Sequence, residues 1–379
     1  MNCLALGLAA QSELQLVHGP YLQEVTQDGA TVVFLVSEKS FSWIELKPHG
    51  AAEKEIVRCY ASKDGLKAAY NTFNSIRLEK LLPGKSYDYR ILSKEICSFQ
   101  PYKVVFGDSI STQWYTFSTL DPQKKGASIF ITSDMHSDAK KLEALLNFTD
   151  YKTCDAIIYA GDMMNYMDDP EGPFTSFIDT SVKMFASSIP FEVVRGNHET
   201  RGNLARTYSN YFPKKNGKIY GSYLLGDIMI VMLDSGEDKA EDHWVYAGLT
   251  DYDAYRSEQA KWLKALVNTK EYKKAKYRIV ISHFPMVMDQ TVKEENMWLG
   301  WTDAIQKFLP ILNKANVDLL VSGHTHRFCY HDSGADGNAF PVLEQGAMCA
   351  TRLDVKDGKI RIQVIDTNGK ILEDKTIER

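Results

Sequence analysis

Apolar and polar residues alternate along the first third of the chain, in short runs that turn residues separate. Ala30–Val36 is a β-branched apolar run, and Asn74–Leu78 is a second one. Alternation with a period of two begins again at Tyr87 and returns at Trp114–Ser118. Such runs predict β-strands. Short strands at this spacing predict an all-β sandwich over residues 13–120.

After Asp121-Pro122 the pattern becomes apolar runs separated by segments of helical periodicity, so we place a domain boundary there. Six runs predict buried strands: Ser128–Thr132, Ala156–Ala160, Phe191–Val194, Met229–Leu233, Arg278–Ile281 and Leu319–Val321. Three segments predict helices: Lys140–Phe148, Ser257–Val267 with Ser257 as N-cap, and Thr302–Asn316 with a kink at Pro310. Asp357-Gly358 and Asn368-Gly369 predict hairpin turns. This order of elements predicts an α/β domain over residues 121–379.

The composition is that of a soluble globular protein, with 44% hydrophobic and 25% charged residues among 379. The 44 basic and 49 acidic side chains give a net charge of -5, and the lysine doublets are scattered. A nucleic-acid groove needs clustered positive charge, so we expect no nucleic-acid partner. No apolar run is long enough to predict a transmembrane helix.

The first residues and the cysteines indicate in which cellular compartment the protein works. Residues 1–12 resemble the tail of a secretory signal peptide, with an apolar stretch followed by small residues but no basic segment before it. We therefore expect export to the periplasm, the cell surface or the medium. Six cysteines show no CxxC spacing, which argues against a zinc knot. Cys59 with Cys97, or Cys329 with Cys349, could form disulfides, and buried free thiols remain the alternative.

Five of the predicted strands lead directly into residues that bind metals in proteins. The segments are Asp134-Met135-His136, Gly161-Asp162, Gly196-Asn197-His198-Glu199, His283 and Gly323-His324-Thr325-His326. Loops at the carboxyl ends of strands converge on one crevice in α/β proteins. Five of the nine histidines lie in these segments. A Gly-Asp pair alone is more often a turn and a lone histidine is more often part of a core, but five such segments in order predict one metal site.

This ordered series resembles the calcineurin-like metallophosphoesterase superfamily, over residues 128–366. The resemblance implies two mixed sheets packed face to face and flanked by helices. It also implies two divalent or trivalent transition-metal ions (Fe, Mn, Zn or Co), which suit a ligand set of carboxylate, imidazole and amide groups without thiolates. The implied ligands are Asp134, His136 and His326 for the first ion, Asn197, His283 and His324 for the second, and Asp162 as the bridge.

The resemblance further implies hydrolysis of phosphate esters by a metal-bound hydroxide that attacks phosphorus in line. His198 would protonate the leaving group or stabilise its charge. Glu199 is expected to orient a histidine rather than to bind metal. The substrate is expected to be a small phosphomonoester or phosphodiester, and the oligomeric state stays open.

The N-terminal part resembles the fibronectin type III domain that precedes the catalytic domain of purple acid phosphatases. The similar strings are Gly19-Pro20-Tyr21 and Leu81-Leu82-Pro83-Gly84-Lys85-Ser86-Tyr87. Tyr87 is then expected to hydrogen-bond to the chain just upstream. The catalytic motifs depart from that branch. It lacks a histidine at the place of His136, and its iron-binding tyrosine stands where this chain has Asn165, one residue before Tyr166.

Three other functions are compatible with parts of the pattern. A nuclease of the same superfamily would need a basic stripe, and a binding protein that kept the fold would be expected to have lost ligands. A zinc protease would need a His-Glu-x-x-His helix, which the sequence lacks. Two aromatic-rich segments, 237–256 and 287–301, are expected either to line the substrate cleft or to pack against the domain.

Overall fold

A computed structural model describes residues 13–287 and 298–379. Its first part, as far as Ser118, contains nine strands. They are β1 (Leu16–Gln23), β2 (Gly29–Pro48), β3 (Val57–Cys59), β4 (Ser62–Lys63), β5 (Leu66–Lys67), β6 (Asn71–Glu79), β7 (Ser86–Gln100), β8 (Lys103–Ser111) and β9 (Tyr115–Ser118). The strands predicted at residues 30–36 and 74–78 fall within β2 and β6, and the strand predicted at 114–118 corresponds to β9, which begins one residue later. The segment is therefore all-β, as the alternation predicts.

The long strand β2 changes partners along its length. Its residues up to Val36 pair with β1, those up to Ser40 pair with β6, and those from Ser40 onward pair with β7 and, near the end, with β3. Side chains from both halves, such as Phe34 and Ile44, are buried in one core. The Tyr87 hydroxyl accepts a hydrogen bond from the Leu82 N–H at 2.9 Å, which confirms the expected corner contact. The relation to fibronectin type III domains stays a prediction.

The remainder of the described chain contains twelve strands and six α-helices. The strands are β10 (Ala127–Thr132), β11 (Ala156–Tyr159), β12 (Phe191–Val193), β13 (Gly221–Leu225), β14 (Ile228–Leu233), β15 (Tyr277–Ser282), β16 (Leu319–Ser322), β17 (Cys329–His331), β18 (Val342–Glu344), β19 (Cys349–Lys356), β20 (Lys359–Asp366) and β21 (Ile371–Glu378). The helices are α1 (Ala139–Phe148), α2 (Asp179–Met184), α3 (Tyr208–Tyr211), α4 (Tyr252–Leu266), α5 (Lys270–Lys274) and α6 (Leu299–Leu312).

These strands form two mixed six-stranded sheets, in the orders β12-β11-β10-β19-β20-β21 and β13-β14-β15-β16-β18-β17. Neighbouring residues of a strand point to opposite faces. Ile129 of β10 and Ile279 of β15 lie in one buried cluster, which joins the two sheets. Phe130 packs on the outer face with residues of α1, and Val280 packs on the other outer face with residues of α4 and α6. Two sheets thus pack face to face between helices, as expected.

The parallel strands β10, β11 and β12 of one sheet, and β14, β15 and β16 of the other, are the six that the sequence predicts. The Asp357-Gly358 hairpin is also confirmed, because both residues have positive φ (51° and 80°) between β19 and β20. Two helix boundaries differ from the prediction. Helix α4 begins at Tyr252, with Asp251 at the N-cap, so Ser257 does not cap it. Helix α6 begins earlier than predicted and ends two residues after Pro310.

The all-β part is attached to the second part through β1. The Leu22 N–H donates to the carbonyl of Ala186 at 2.9 Å, and the Tyr21 hydroxyl donates to that of Tyr211 at 2.9 Å. The His18 ring stacks on Phe174 with 4.1 Å between centroids. Because these contacts are buried or half-buried, the two parts share a continuous interface.

The cysteines of the described residues, Cys59, Cys97, Cys154, Cys329 and Cys349, are all free thiols, so neither disulfide considered above is formed. Within the same residues, no helix is both long and apolar enough to cross a membrane. The segment that resembles a signal peptide lies outside the described residues, and export stays a prediction.

Candidate metal centre

The predicted site residues follow the carboxyl ends of five strands from both sheets. Asp134 and His136 follow β10, Asp162 follows β11, and Asn197, His198 and Glu199 follow β12. His283 follows β15, while His324 and His326 follow β16. Three overlapping groups have metal-binding atoms within 4.8 Å of one another: Asp134/His136/His326, His136/Asp162/His198 and Asp162/His283/His324.

In the first group, two imidazole nitrogens face each other. His136 Nε2 and His326 Nε2 are 3.1 Å apart, and His326 Nε2 is 3.4 Å from Asp134 Oδ1. Asp134 is buried, whereas about half of the His326 side chain is exposed. The group is therefore open to solvent on the side of His326.

Beside the third group, which contains Asp162, His283 and His324, the amide oxygen of Asn197 faces two imidazoles. Asn197 Oδ1 is 3.0 Å from His283 Nε2 and 3.1 Å from His324 Nδ1. His283 Nε2 also lies 3.2 Å from Asp162 Oδ2. The His283 Nδ1–H donates to the carbonyl of Ala160 at 2.9 Å, which leaves Nε2 facing the group. Asp162 therefore belongs both to this group and to the group of His136, Asp162 and His198.

The backbone reaches these positions through left-handed conformations. Five of the candidate ligands have positive φ: Asp134 (56°), His136 (46°), Asp162 (53°), His324 (75°) and His326 (58°). Such conformations cost about 1–3 kcal/mol each and cluster at functional sites. Hydrogen bonds fix them: Asp134 N–H donates to the Gly161 carbonyl at 3.0 Å, and His136 N–H donates to the Asp162 carbonyl at 3.0 Å.

Glu199 stabilises the loop that carries Asp162. One carboxylate oxygen accepts from the N–H groups of Asp162 (2.9 Å) and Gly196 (2.8 Å), and the other accepts from those of Met163 (2.7 Å) and Met164 (3.3 Å). The expectation that Glu199 orients a histidine is therefore wrong, because its bonds go to backbone N–H groups. Burial and the charge of Asp162 raise the pKa of Glu199 to about 7.

The electrostatics of the cluster favour a cation. Burial alone lowers the pKa of His283, but Asp162 overcomes this effect and raises it to about 10. Burial and the charge of His283 lower the pKa of His324 to about 3. Carboxylate and amide oxygens offer only lone pairs, and of two imidazole nitrogens 3.1 Å apart at most one can donate. The residues present therefore fit a metal site, whose filling must displace the proton on His283.

His198 lies beside the cluster, and Arg201 is a neighbour that sequence reasoning missed. The His198 Nδ1–H donates to the carbonyl of Asn165 at 2.9 Å, so Nε2 accepts from Arg201 Nη1 at 3.1 Å. The same Nε2 is 3.9 Å from Asp162 Oδ2. Arg201 could have been found only from its place three residues after His198, a signal too weak on its own.

Some aromatic side chains of segments 237–256 and 287–301 are buried, and others are exposed. Tyr246 and Trp301 are buried, and Trp301 Nε1–H donates to the Pro285 carbonyl at 2.7 Å. Trp244 is largely exposed, and Trp298 is about half exposed. Residues 288–297, most of the second predicted wall, lie outside the described residues. Tyr166 is more than half exposed, while Asn165 donates from its amide to the carbonyl of His136 at 3.3 Å.

Comparison with known proteins places this cluster in a family. The family model described as calcineurin-like phosphoesterase matches residues 127–328, more than half of the chain. The serine/threonine-protein phosphatase CPPED1 of Mus musculus is 25% identical over 175 residues, which are 45% of this chain and 53% of that protein. Purple acid phosphatase 18 of Arabidopsis thaliana is 24% identical over 158 residues, which are 39% of this chain and 32% of that protein. The matches thus span about half or less of these relatives.

Two solved structures resemble the whole described architecture. The purple acid phosphatase PPD1 from yellow lupin (Lupinus luteus) seeds has a TM-score of 0.67 at 15% identity, covering 95% of this chain and 74% of that one. PhoD has a TM-score of 0.63 at 11% identity, covering 96% of this chain and 90% of that one. At this level of identity the likeness shows the fold alone.

The glycines of the motifs provide a test of how tightly the cluster is packed. A Cβ at Gly196 would collide with the backbone nitrogen and Oδ1 of Asp162, whereas one at Gly172 would have its nearest neighbour at 3.9 Å. We expect Gly196→Ala to lower the free energy of unfolding by about 1–3 kcal/mol, the usual cost of overpacking. Gly172→Ala is the control. Urea unfolding followed by circular dichroism checks the difference, and equal stabilities of the two variants would contradict the described packing.

Proposed function

The chain belongs to the calcineurin-like phosphoesterase family, which hydrolyses phosphoric esters, and we propose that it is a phosphohydrolase with a two-metal site that acts on small phosphate esters. The observation that carries the proposal is the overlap of the candidate ligand groups. Asp162 is common to two of the three groups, and His136 links the third to them. Overlapping groups around one buried carboxylate suit two neighbouring ions better than one.

We assign the ligands of the two ions as the family resemblance implies. Asp134, His136 and His326 would hold one ion, and Asn197, His283 and His324 would hold the other, with Asp162 between them. The distances in support are those from Asn197 Oδ1 to both imidazoles of the second set (3.0 and 3.1 Å) and from His283 to Asp162 (3.2 Å). The retained ligand set argues against a binding protein without activity.

When bound, transition-metal ions such as Fe, Mn, Zn or Co would lower the pKa of water from ~15.7 to roughly 7, supply hydroxide as the nucleophile and offset phosphate charge. In the hydrolysis, a new P–O bond forms as the P–O bond to the leaving group breaks. His198 would act as the acid in its doubly protonated form, in which Nε2 carries a proton and no longer accepts from Arg201, because its Nδ1 is committed to the carbonyl of Asn165. Its ring stays in one orientation for that transfer.

Three further proposals describe the setting of this activity. The net charge of -5 supports a small ester as substrate and not a nucleic acid. The all-β arrangement of β1 to β9 supports a fibronectin type III-like first domain that ends near residue 120. The apolar character of residues 1–12 supports export.

The first prediction concerns metal content. The purified protein should contain about two transition-metal equivalents, and a chelator should abolish hydrolysis. Asp162→Ala should lose both ions because the substitution removes the shared ligand. Asp168→Ala removes an exposed carboxylate of the same loop and should keep them. Elemental analysis by mass spectrometry measures the content, and full occupancy in Asp162→Ala would show the ligand assignment to be wrong.

A second prediction separates the role of His198 from metal binding. His198→Ala should retain its metal while kcat falls by about 10²–10⁴-fold, the range for general acid–base groups. The loss should be smaller for nitrophenyl esters than for alkyl esters, since nitrophenolate needs little protonation. His49→Ala, in the all-β part, is the control. Equal losses for both leaving groups would exclude the acid role.

A third prediction concerns the branch of the family. His136 lies in the first ligand group and Tyr166 is mostly exposed, so we propose that no tyrosinate binds iron. The iron-loaded protein should lack a strong visible tyrosinate-to-iron charge-transfer band. Tyr166→Phe should leave the absorption spectrum and the iron content unchanged. A purple protein that loses its colour in Tyr166→Phe would contradict this assignment without affecting the phosphohydrolase proposal.

A further inference from the structure

Arg201 is the only arginine described in contact with His198, and it approaches the nitrogen that faces the cluster. Nη1 is 3.1 Å from His198 Nε2. The Arg201 side chain is about three-quarters buried, with 23% of its surface exposed. An oxygen bound beside His198 Nε2 would therefore also be within reach of a guanidinium N–H.

The other edge of the guanidinium is fixed by a buried acid. Arg201 Nε is 3.3 Å from Glu237 Oε2, and Nη2 is 3.2 Å from Glu237 Oε1. The Tyr246 hydroxyl also accepts from Nε at 3.3 Å. The Thr200 hydroxyl donates to Glu237 Oε2 at 2.8 Å and holds that carboxylate in turn. Since Nε and Nη2 serve these partners, Nη1 is the nitrogen that points toward His198 and the cluster.

The pairing of Arg201 with Glu237 does more than neutralise the buried charge of that carboxylate. A lysine could compensate Glu237, but only a guanidinium can pair with it in a two-point geometry and still present a further nitrogen. Asp238 lies 3.6 Å from Arg201 Nη2 and 2.8 Å from Lys239 Nζ. Burial and Glu237 raise the pKa of Asp238 to about 7. The cations Arg201 and Lys239 thus lie beside the same two acidic side chains, Glu237 and Asp238.

We propose that Arg201 binds a phosphoryl oxygen of the substrate through Nη1 and thereby favours phosphomonoesters over phosphodiesters. The inference rests on the proposed function and names the substrate class for it. Arginine binds phosphate strongly through charge-assisted hydrogen bonds. A monoester dianion carries twice the charge of a diester, so a fixed cation attracts it about twice as strongly at equal distance. Glu237 and Tyr246 are then positioning residues for Arg201.

Two esters with one leaving group test this selectivity. The Mn²⁺-loaded protein is assayed with p-nitrophenyl phosphate and with methyl p-nitrophenyl phosphate, so that only the charge and substitution of phosphorus differ. Arg201→Lys keeps a charge opposite Glu237, and the double variant Arg201→Gln/Glu237→Gln removes both charges together. In each, kcat/KM for the monoester should fall by about 10–100-fold, as for loss of a charge-assisted hydrogen bond, and more than for the diester.

Arg206→Gln is the matched control, because this arginine is exposed and donates to the carbonyl of Leu249 at 3.1 Å. It should leave both rates and their ratio unchanged. The ratio of the two kcat/KM values does not depend on the fraction of folded enzyme. A purely structural Arg201 would lower both rates equally, and an unchanged ratio in both Arg201 variants would overturn the proposal.

Binding of inorganic phosphate gives a readout that does not depend on turnover. Isothermal titration calorimetry of the Mn²⁺-loaded proteins should show Kd raised by about tenfold or more in Arg201→Lys, and unchanged in Arg206→Gln. Equal affinity in the Arg201 variants and the unaltered protein would also overturn the proposal. If the unaltered protein hydrolysed neither ester, the proposed function would fail, whereas the phosphate titration would still decide the role of Arg201.

Discussion

The buried carboxylate of Asp162 is the group around which the rest of the site is arranged. A charge removed from water needs partners, because its desolvation costs several kcal/mol. Asp162 has two in the described protein: the His198 N–H donates to Oδ1 at 2.9 Å, and His283 Nε2 lies 3.2 Å from Oδ2. His198 lies in the segment after β12, the strand beside β11, and His283 follows β15 of the opposite sheet. The carboxylate therefore joins the two sheets at the end where their loops meet.

The positions of the other ligands depend on how that carboxylate is held. Its backbone has a φ of 53°, and Glu199 fixes the segment through three of its N–H groups, those of Asp162, Met163 and Met164. Gly161 and Gly196 then allow His283 and Asp162 to approach the backbone more closely than a Cβ would permit. The hydrogen bonds offset the strain of the left-handed residues. The left-handed backbone conformation turns the side chains of neighbouring positions toward the same point. Glu199 thus acts on the metal site although its carboxylate bonds to the backbone.

The sequence predicts the candidate metal ligands better than it predicts the contacts of the side chains around them, and the reason is physical. Buried parallel strands are continuous apolar runs, and ligands must follow their carboxyl ends, so both are visible in local patterns. The order of the segments then identifies the family. The partners of Glu199 could not be read in the same way, because backbone N–H groups are present at every residue. Arg201 and Glu237 are 36 residues apart, and only the fold brings them together. The start of α4 does not show in the periodicity, because Arg256 is buried and bonds to Asp303 of α6, whereas an arginine in the pattern indicates a polar surface.

The candidate metal ligands are held by one part of the molecule, and His198 and Arg201 are held by another. The candidate ligands lie at strand ends, and backbone conformation fixes them. His198 and Arg201 lie in the segment after β12, and Arg201 is held by Glu237 and Tyr246, in the segment that connects β14 to α4. A change in that connection alters the direction of Arg201 without touching any of the seven candidate ligands. On the proposed role of Arg201, substrate preference could therefore change while the candidate ligands stay the same. If Arg201 binds phosphate as proposed, the side-chain network around Glu237, and not the ligand set, determines which class of ester this chain prefers.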